Sequence, residues 1–256
     1  MGMMVNGPDP LTTSEEHADL HYGKSYLGWK GWDDDNFAKV SRAEIFYFDA
    51  ELRRAGFKPT SQIRVLEIGF GNGSFLAYAK TKGWNAIGTE VNDFLVEMAT
   101  RRGLYAIHAL DLNALDDGAF DLVVAFDVLE HIPQNYLLDF VKSLVRKLKP
   151  GGLFIARFPN ADSPFGLLNQ NGDMTHLTAL GLGKVRYLSR ELGMRVVFFG
   201  GQAVPLIRNE AFRSLRRIAG LALFKVVDIF VNKVFYPNDP IAFCSSNVVM
   251  VLQATR

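Results

Sequence analysis

Val65-Leu66-Glu67-Ile68-Gly69-Phe70-Gly71-Asn72-Gly73 is an apolar run, broken by one acid, that passes straight into glycines at every second position. The apolar part reads as a short buried strand. The glycines read as a turn whose backbone amides, unshielded by side chains, approach a ligand at the start of a helix. That is the layout of a nucleotide-type cofactor site on an open α/β sheet.

Working outward from this stretch, strand-like runs alternate with helical patterns. The strands are expected at Arg64–Ile68, Ala86–Glu90, Ala106–Ala109, Leu122–Phe126, Leu153–Phe158, Arg195–Phe199 and Asn247–Leu252. Between most of them lie helical spacings at Ser74–Lys82, Asp93–Arg102, Gln134–Leu148 and Ala179–Leu192. Lys149-Pro150-Gly151-Gly152 reads as a stop after the third of these helices, its basic residue complementing the helix dipole. Upstream, Phe37, Val40, Ile45, Phe48 and Leu52 recur at helical spacing, and Gly56 and Pro59 end that helix. Such alternation implies a mostly parallel sheet covered on both faces, the doubly wound α/β class.

The chain has 256 residues, enough for one large α/β domain with appendages. Lys+Arg total 28 against Asp+Glu 27, a balance that argues against a nucleic-acid partner. Cys244 is the only cysteine, which excludes an internal disulfide and a cysteine-rich zinc site and fits a reducing, cytoplasmic compartment. Residues 1–20 are polar and turn-rich, with neither a signal peptide nor an anchor pattern, and are expected to be a poorly ordered leader.

Two cofactor classes compete for the glycine loop. A dinucleotide site wants a glycine or alanine three positions after Gly71, and finds Ser74 there with an extra Gly73 before it. Glu67 is more telling, because a carboxylate two residues before the first glycine would repel a pyrophosphate. It would welcome a cation. S-adenosylmethionine carries a sulfonium and an ammonium and no phosphate.

At this point the chain resembles the class I S-adenosylmethionine-dependent methyltransferases over roughly residues 60–255. Val65–Gly73 matches the family's first motif, which gives Glu67, Gly69, Phe70, Gly71 and Gly73 as cofactor contacts. Phe70 departs from the small residue or cysteine common there and is expected to alter the pocket's shape. Thr89-Glu90-Val91-Asn92 matches the end of the second strand, where Glu90 would take both ribose hydroxyls. Ala109-Leu110-Asp111-Leu112 matches the segment beside the adenine, with Asp111 able to accept from its amine. Phe120–His131 matches the fourth strand and the loop after it, so Asp127, Val128 and Leu129 would line the methyl-transfer site. Leu148–Leu153 matches the turn into the fifth strand. The resemblance implies seven strands with an antiparallel last one. Taken alone, Asp127 also reads as a helix cap, and His131 as a helix-start residue ahead of Pro133.

Methyl transfer is an in-line displacement in which the protein positions the partners and excludes water. A hydroxyl acceptor also needs a general base. The segment from Arg157 and Asn160 to Asp173-Met174-Thr175-His176 falls at the carboxyl edge of the sheet and is long for a structureless connection. It resembles a stretch in sugar, quinone and polysaccharide methyltransferases where an Asp and a His approach the acceptor. His176 is therefore the expected base with Asp173 beside it, and Arg157, Asn160 and His131 the expected acceptor contacts. No metal-ligand pattern is visible in the sequence. Residues 21–60 carry Tyr22, Tyr26, Trp29 and Trp32 and are expected to form a helical lid, Tyr22 and Tyr26 touching the acceptor.

Residues 61–256 then form the catalytic domain, interrupted near 207–237. That insertion sets Arg208, Arg213, Arg216, Arg217, Lys225 and Lys233 among apolar residues at helical spacing. It reads as a pocket cover, a homodimer face, or a basic amphipathic helix on the inner face of a membrane. The expected function is O-methylation of a sugar or other small molecule, as in cell-surface polysaccharide assembly. A quinone-type acceptor, an amine acceptor and a non-catalytic S-adenosylmethionine-binding protein are the alternatives. A dehydrogenase is disfavoured by Glu67.

Overall fold

The computed structural model describes residues 28, 30–60, 62–205 and 211–255. The leader, Tyr22, Tyr26 and Trp29 lie outside the described residues. Seven strands form one sheet: β1 (Arg64–Ile68), β2 (Asn85–Glu90), β3 (Tyr105–His108), β4 (Phe120–Phe126), β5 (Leu148–Pro159), β6 (Met194–Gly201) and β7 (Asn247–Ala254). Their order is β3-β2-β1-β4-β5-β7-β6. β1 to β5 are parallel neighbours, and β7 runs antiparallel to both β5 and β6. The helices are α1 (Arg42–Arg54), α2 (Ser74–Thr81), α3 (Asp93–Arg101), α4 (Leu137–Val145), α5 (Leu167–Asn171), α6 (Leu182–Glu191) and α7 (Ala211–Phe235).

Side-chain alternation along the strands builds the two covered faces. Leu66, Val123, Phe154 and Met250 pack with Val141 and Leu144 of α4 and Val185 and Leu188 of α6. Val65, Val124, Ile155 and Val251 pack on the other side with Phe48 and Leu52 of α1 and Phe75 and Tyr78 of α2. α1 starts on a reciprocal cap: the Ser41 hydroxyl accepts from the Glu44 amide at 3.2 Å, and Glu44 accepts from the Ser41 amide at 2.8 Å.

Two expectations shift. The helix before Lys149 covers only Leu137–Val145, because Pro133–Tyr136 closes a turn in which the Tyr136 amide donates to the Pro133 carbonyl at 2.9 Å. Lys149–Gly152 does not end the helix, which stops at Val145, but lies within β5 as a bulge against β4. Phe120 faces Leu148 and Leu122 faces Leu153, so the four residues between fall outside the register.

The topology decides where a ligand can sit. From β1 the chain winds to β2 and β3 on one side, then crosses back to β4 on the other. Connections diverge between β1 and β4, which opens a crevice at their carboxyl ends. α7 lies between β6 and β7 in sequence and is pinned by its own polar residues. Asp228 accepts from the Cys244 amide at 2.8 Å, and Asn232 bonds both backbone groups of Ile241. No helix among the described residues is long and apolar enough to cross a membrane.

Candidate active site

The crevice has two halves, and the first is the glycine loop. Gly69 and Gly71 hold φ of 61° and 51°, a region that other residues enter only under strain. Both are also crowded. A Cβ on Gly69 would stand 2.7 Å from a Val128 methyl, and one on Gly71 would stand 2.8 Å from the Trp32 ring. The end of β4 therefore touches the end of β1 across the switch point, and Trp32 roofs the loop.

Two buried acids frame this half. Glu67 is 4% exposed, and its Oε2 meets no hydrogen-bond donor among the described residues. Burial, aided by the charge of Glu90, pushes its carboxyl well above the usual range. A cationic group entering the loop would reverse that penalty. Glu90 accepts from the backbone amides of Gly71 at 3.0 Å, Val91 at 2.8 Å and Asn92 at 3.3 Å. Burial raises its carboxyl while those three amides pull the other way. Asn92 caps α3 through the amides of Phe94 and Leu95, Asp111 is exposed on a 3₁₀ turn, and Leu112 packs half-buried beside the core.

The second half gathers two distant segments. Glu130 and His131 end the short turn after β4, and Asp173, Thr175 and His176 come from the loop after α5. The Glu130 carbonyl accepts from the Leu177 and Thr178 amides at 2.7 and 2.9 Å, which pulls that loop onto the turn. The His131 and His176 rings meet edge to face with centroids 4.7 Å apart. His131 Nδ1 lies 3.2 Å from the Thr175 carbonyl and 2.9 Å from its hydroxyl. A carbonyl only accepts, and that hydroxyl donates to Asp173 at 2.6 Å, so Nδ1 carries the proton and Nε2 the lone pair. His176 turns Nε2 to Asp173 at 3.7 Å and leaves Nδ1 buried with no partner among the described residues.

Charges around the cluster are arranged in series. Burial opposes ionisation of Asp173, but the Thr175 hydroxyl and amide and the Lys30 ammonium at 3.1 Å hold its carboxyl down at about 2. Burial, with His176 adding to it, lowers His131 to about 4. Glu130 is 1% exposed, its Oε2 has no partner among the described residues, and burial together with Asp127 raises it well above the usual range.

The site residues expected from sequence fall into three groups. Glu67, Glu90 and the glycines converge on one half, and His131, Asp173 and His176 on the other. Asp127 caps no helix. At φ 57° it turns its carboxylate onto Arg157, whose guanidinium also lies 5.0 Å over the Tyr47 ring. Two residues face elsewhere. Phe70 is buried with Phe37, Leu76 and Leu95 beneath the loop, so its ring shapes the core rather than the pocket. Asn160 is 1% exposed, and its amide is spent on the Ala242 and Ser245 carbonyls at 2.8 and 3.0 Å. Three residues to which the sequence reading gave no role line the crevice, Lys30, Glu130 and Thr175, and Trp32, expected in the lid, lies against Gly71. Of these only Glu130 left a trace, an acid next to His131 in the turn after β4.

A family model described as a methyltransferase domain matches residues 42–226. The ubiquinone biosynthesis O-methyltransferase of Xanthomonas oryzae pv. oryzae is 30% identical over 154 residues, covering 55% of this chain and 61% of that protein. The chain thus spans about three-fifths of the length of that curated relative. Among solved structures, a SAM-dependent methyltransferase from Archaeoglobus fulgidus superposes with a TM-score of 0.59 at 19% identity, over 96% of this chain and all of that one. An S-adenosylmethionine-dependent methyltransferase from Mesorhizobium loti gives 0.54 at 14% identity, over 80% and 96%. At these identities the structural likeness is one of fold.

Proposed function

The chain belongs to the class I S-adenosylmethionine-dependent methyltransferases, and from that premise we propose that it methylates a hydroxyl of a small, ring-bearing acceptor of the quinone-precursor kind. When bound, S-adenosylmethionine supplies the methyl group for an in-line displacement. Gly69 to Gly73 cradle it, Glu67 answers its cationic amino-acid end, and Glu90 takes the ribose hydroxyls. Asp111 and Leu112 flank the adenine, and Val91, Asn92 and Asp127 to Leu129 complete the wall.

One observation carries the acceptor assignment. His176 Nδ1 is buried and unpartnered while Asp173 orients the opposite nitrogen. That lone pair takes the hydroxyl proton as the oxygen attacks, and Asp173 stabilises the imidazolium that forms. An amine acceptor would need no such base. Met174, 97% exposed on the loop that carries His176, offers an apolar contact that suits an aromatic acceptor better than a sugar. The name of the Xanthomonas relative favours the same class.

Of the expected 21–60 lid, the stretch around Lys30 and Trp32 acts as the lid, a reading supported by Trp32 against Gly71 and Lys30 against Asp173, while α1 behind it is packed into the core. On α7, Leu223, Val226, Phe230 and Val234 are exposed alongside exposed Lys225 and Lys233. A pocket cover would bury them, so we assign α7 to an anionic membrane surface on the cytoplasmic side. Sedimentation with anionic vesicles tests this, and a concentration-dependent dimer that ignores vesicles would replace it.

The function is tested with methyl-labelled S-adenosylmethionine and panels of catechols, sugars and amines. Label on a phenolic hydroxyl is expected. Label on sugars or glycolipid would substitute the polysaccharide reading, and S-adenosylhomocysteine binding without any transfer would leave a binding protein.

A further inference from the structure

We propose that Glu130, His131 and His176 together bind one divalent transition-metal ion at the acceptor half of the crevice. One ligand atom from each of the three lies within 4.8 Å of the others. Two donors on a single ion, at bonds of about 2.1 Å, stand about 3–4 Å apart, so modest side-chain rotation closes the set.

The donors are of the right kind and are held the right way. Two imidazoles and one carboxylate form the set that binds zinc or iron on one face and leaves positions open on the other. Glu130 Oε2 and His176 Nδ1 are buried polar atoms with no hydrogen-bond partner among the described residues. Native folds rarely leave such atoms without a purpose. On each histidine the opposite nitrogen is engaged by the protein. Thr175 takes His131 Nδ1, and Asp173 faces His176 Nε2. Ligating histidines are oriented in this manner, one ring nitrogen to a carbonyl or carboxylate and the other to the metal. The outer layer is itself fixed, because Asp173 is bonded by Thr175 and paired with Lys30.

The site stands on these contacts alone. Its use in catalysis rests on the proposed function, with the acceptor hydroxyl meeting this same loop. With the ion seated, the His176 lone pair would be a ligand, and the metal would acidify the bound hydroxyl so that its proton leaves to solvent before the oxygen attacks. Without it, His176 acts as the base.

The test uses the full chain, stripped with a chelator and titrated with Co²⁺, followed by calorimetry and by visible d–d absorption. One ion per chain is expected. Glu130→Gln and His176→Ala should each weaken it tenfold or more. Asp173→Asn keeps every ligand and loosens only the orientation of His176, so it should weaken binding by about tenfold. S-adenosylhomocysteine affinity, measured on each variant, reports that the fold survives. Less than about a tenth of an ion per chain by the same stoichiometric reading, or an affinity that ignores Glu130→Gln and Asp173→Asn alike, overturns the site. If cobalt fails to bind while S-adenosylhomocysteine still does, the metal falls and methyl transfer stands. Cobalt binding without S-adenosylhomocysteine binding does the reverse.

Discussion

Glu90 and Glu130 are both buried acids at the carboxyl edge of the sheet, one closing β2 and the other just past β4. Their partners differ in kind. Glu90 takes three backbone amides, two of them from the residues that immediately follow it. Glu130 gives its carbonyl to Leu177 and Thr178, but its carboxylate Oε2 meets no donor among the described residues. The Glu90 corner of the cofactor half is thus organised by local backbone, while Glu67 beside it keeps a buried Oε2 with no donor among the described residues. The acceptor half is assembled from segments some 45 positions apart and retains polar atoms that only a ligand would satisfy. An unsatisfied buried group costs about 1–3 kcal/mol. A fold that keeps one at a crevice is trading stability for binding.

If the halves are separable, variants should move one observable and spare the other. The largest effect is expected from His176→Ala, which should lower turnover by about 10²–10⁴-fold, the range general-base catalysis supplies. Its S-adenosylhomocysteine affinity should stay within about twofold, since His176 stands in the acceptor half, away from the glycine loop. A parallel loss of affinity in calorimetry would mean the halves are one unit. Glu90→Ala should do the opposite. Hydrogen bonds to a charged group are worth about 1.5–3 kcal/mol, so S-adenosylhomocysteine should bind about tenfold or more weakly. Turnover at saturating S-adenosylmethionine should change little, and unchanged affinity would remove Glu90 from the ribose role.

The same division explains what the sequence disclosed. The cofactor half was legible because its parts are contiguous: a strand, a glycine turn and an acid at the next strand's end each announce themselves within ten residues. All seven strands were legible too, their β-branched runs punctuated by Gly and Pro. β5 alone was misjudged by several residues at its start, since a bulged Lys149–Gly152 is indistinguishable from a turn until Phe120 and Leu148 are seen to pair. Phe70 and Asn160 sit at motif positions, yet motif position does not fix where a side chain points. The acceptor half needed contacts that sequence separation hides. Lys30 and Asp173 are 143 positions apart, and His131 and Thr175 are 44 apart.

The lid offers a finer cut, because it leans on both halves at once. Trp32 lies against Gly71, and ring contacts of this kind are worth about 0.5–1.5 kcal/mol. Trp32→Ala should therefore weaken S-adenosylhomocysteine by about two- to tenfold, with the quenching of tryptophan fluorescence on binding reduced in step. An affinity equal to wild type would confine Trp32 to packing.

Lys30→Ala should give the smallest effect and the most specific one. Its ammonium is 3.1 Å from a nearly buried Asp173, but the lysine itself is 29% exposed, so solvent screens much of the attraction. The pair is then worth no more than about 1 kcal/mol, or roughly fivefold. Asp173 keeps the Thr175 hydroxyl and amide in the variant, at 2.6 and 2.9 Å, so the loop should hold its shape. What is lost is the tie between lid and acceptor loop. Turnover should fall a few-fold while S-adenosylhomocysteine affinity remains that of the parent, the converse of Trp32→Ala. Lys30→Arg, which restores the charge with a longer reach, should recover most of the rate. If Lys30→Ala instead lowered affinity and spared turnover, the lid would be closing on the cofactor alone, and the acceptor loop would be held by Thr175 and the Glu130 carbonyl without it.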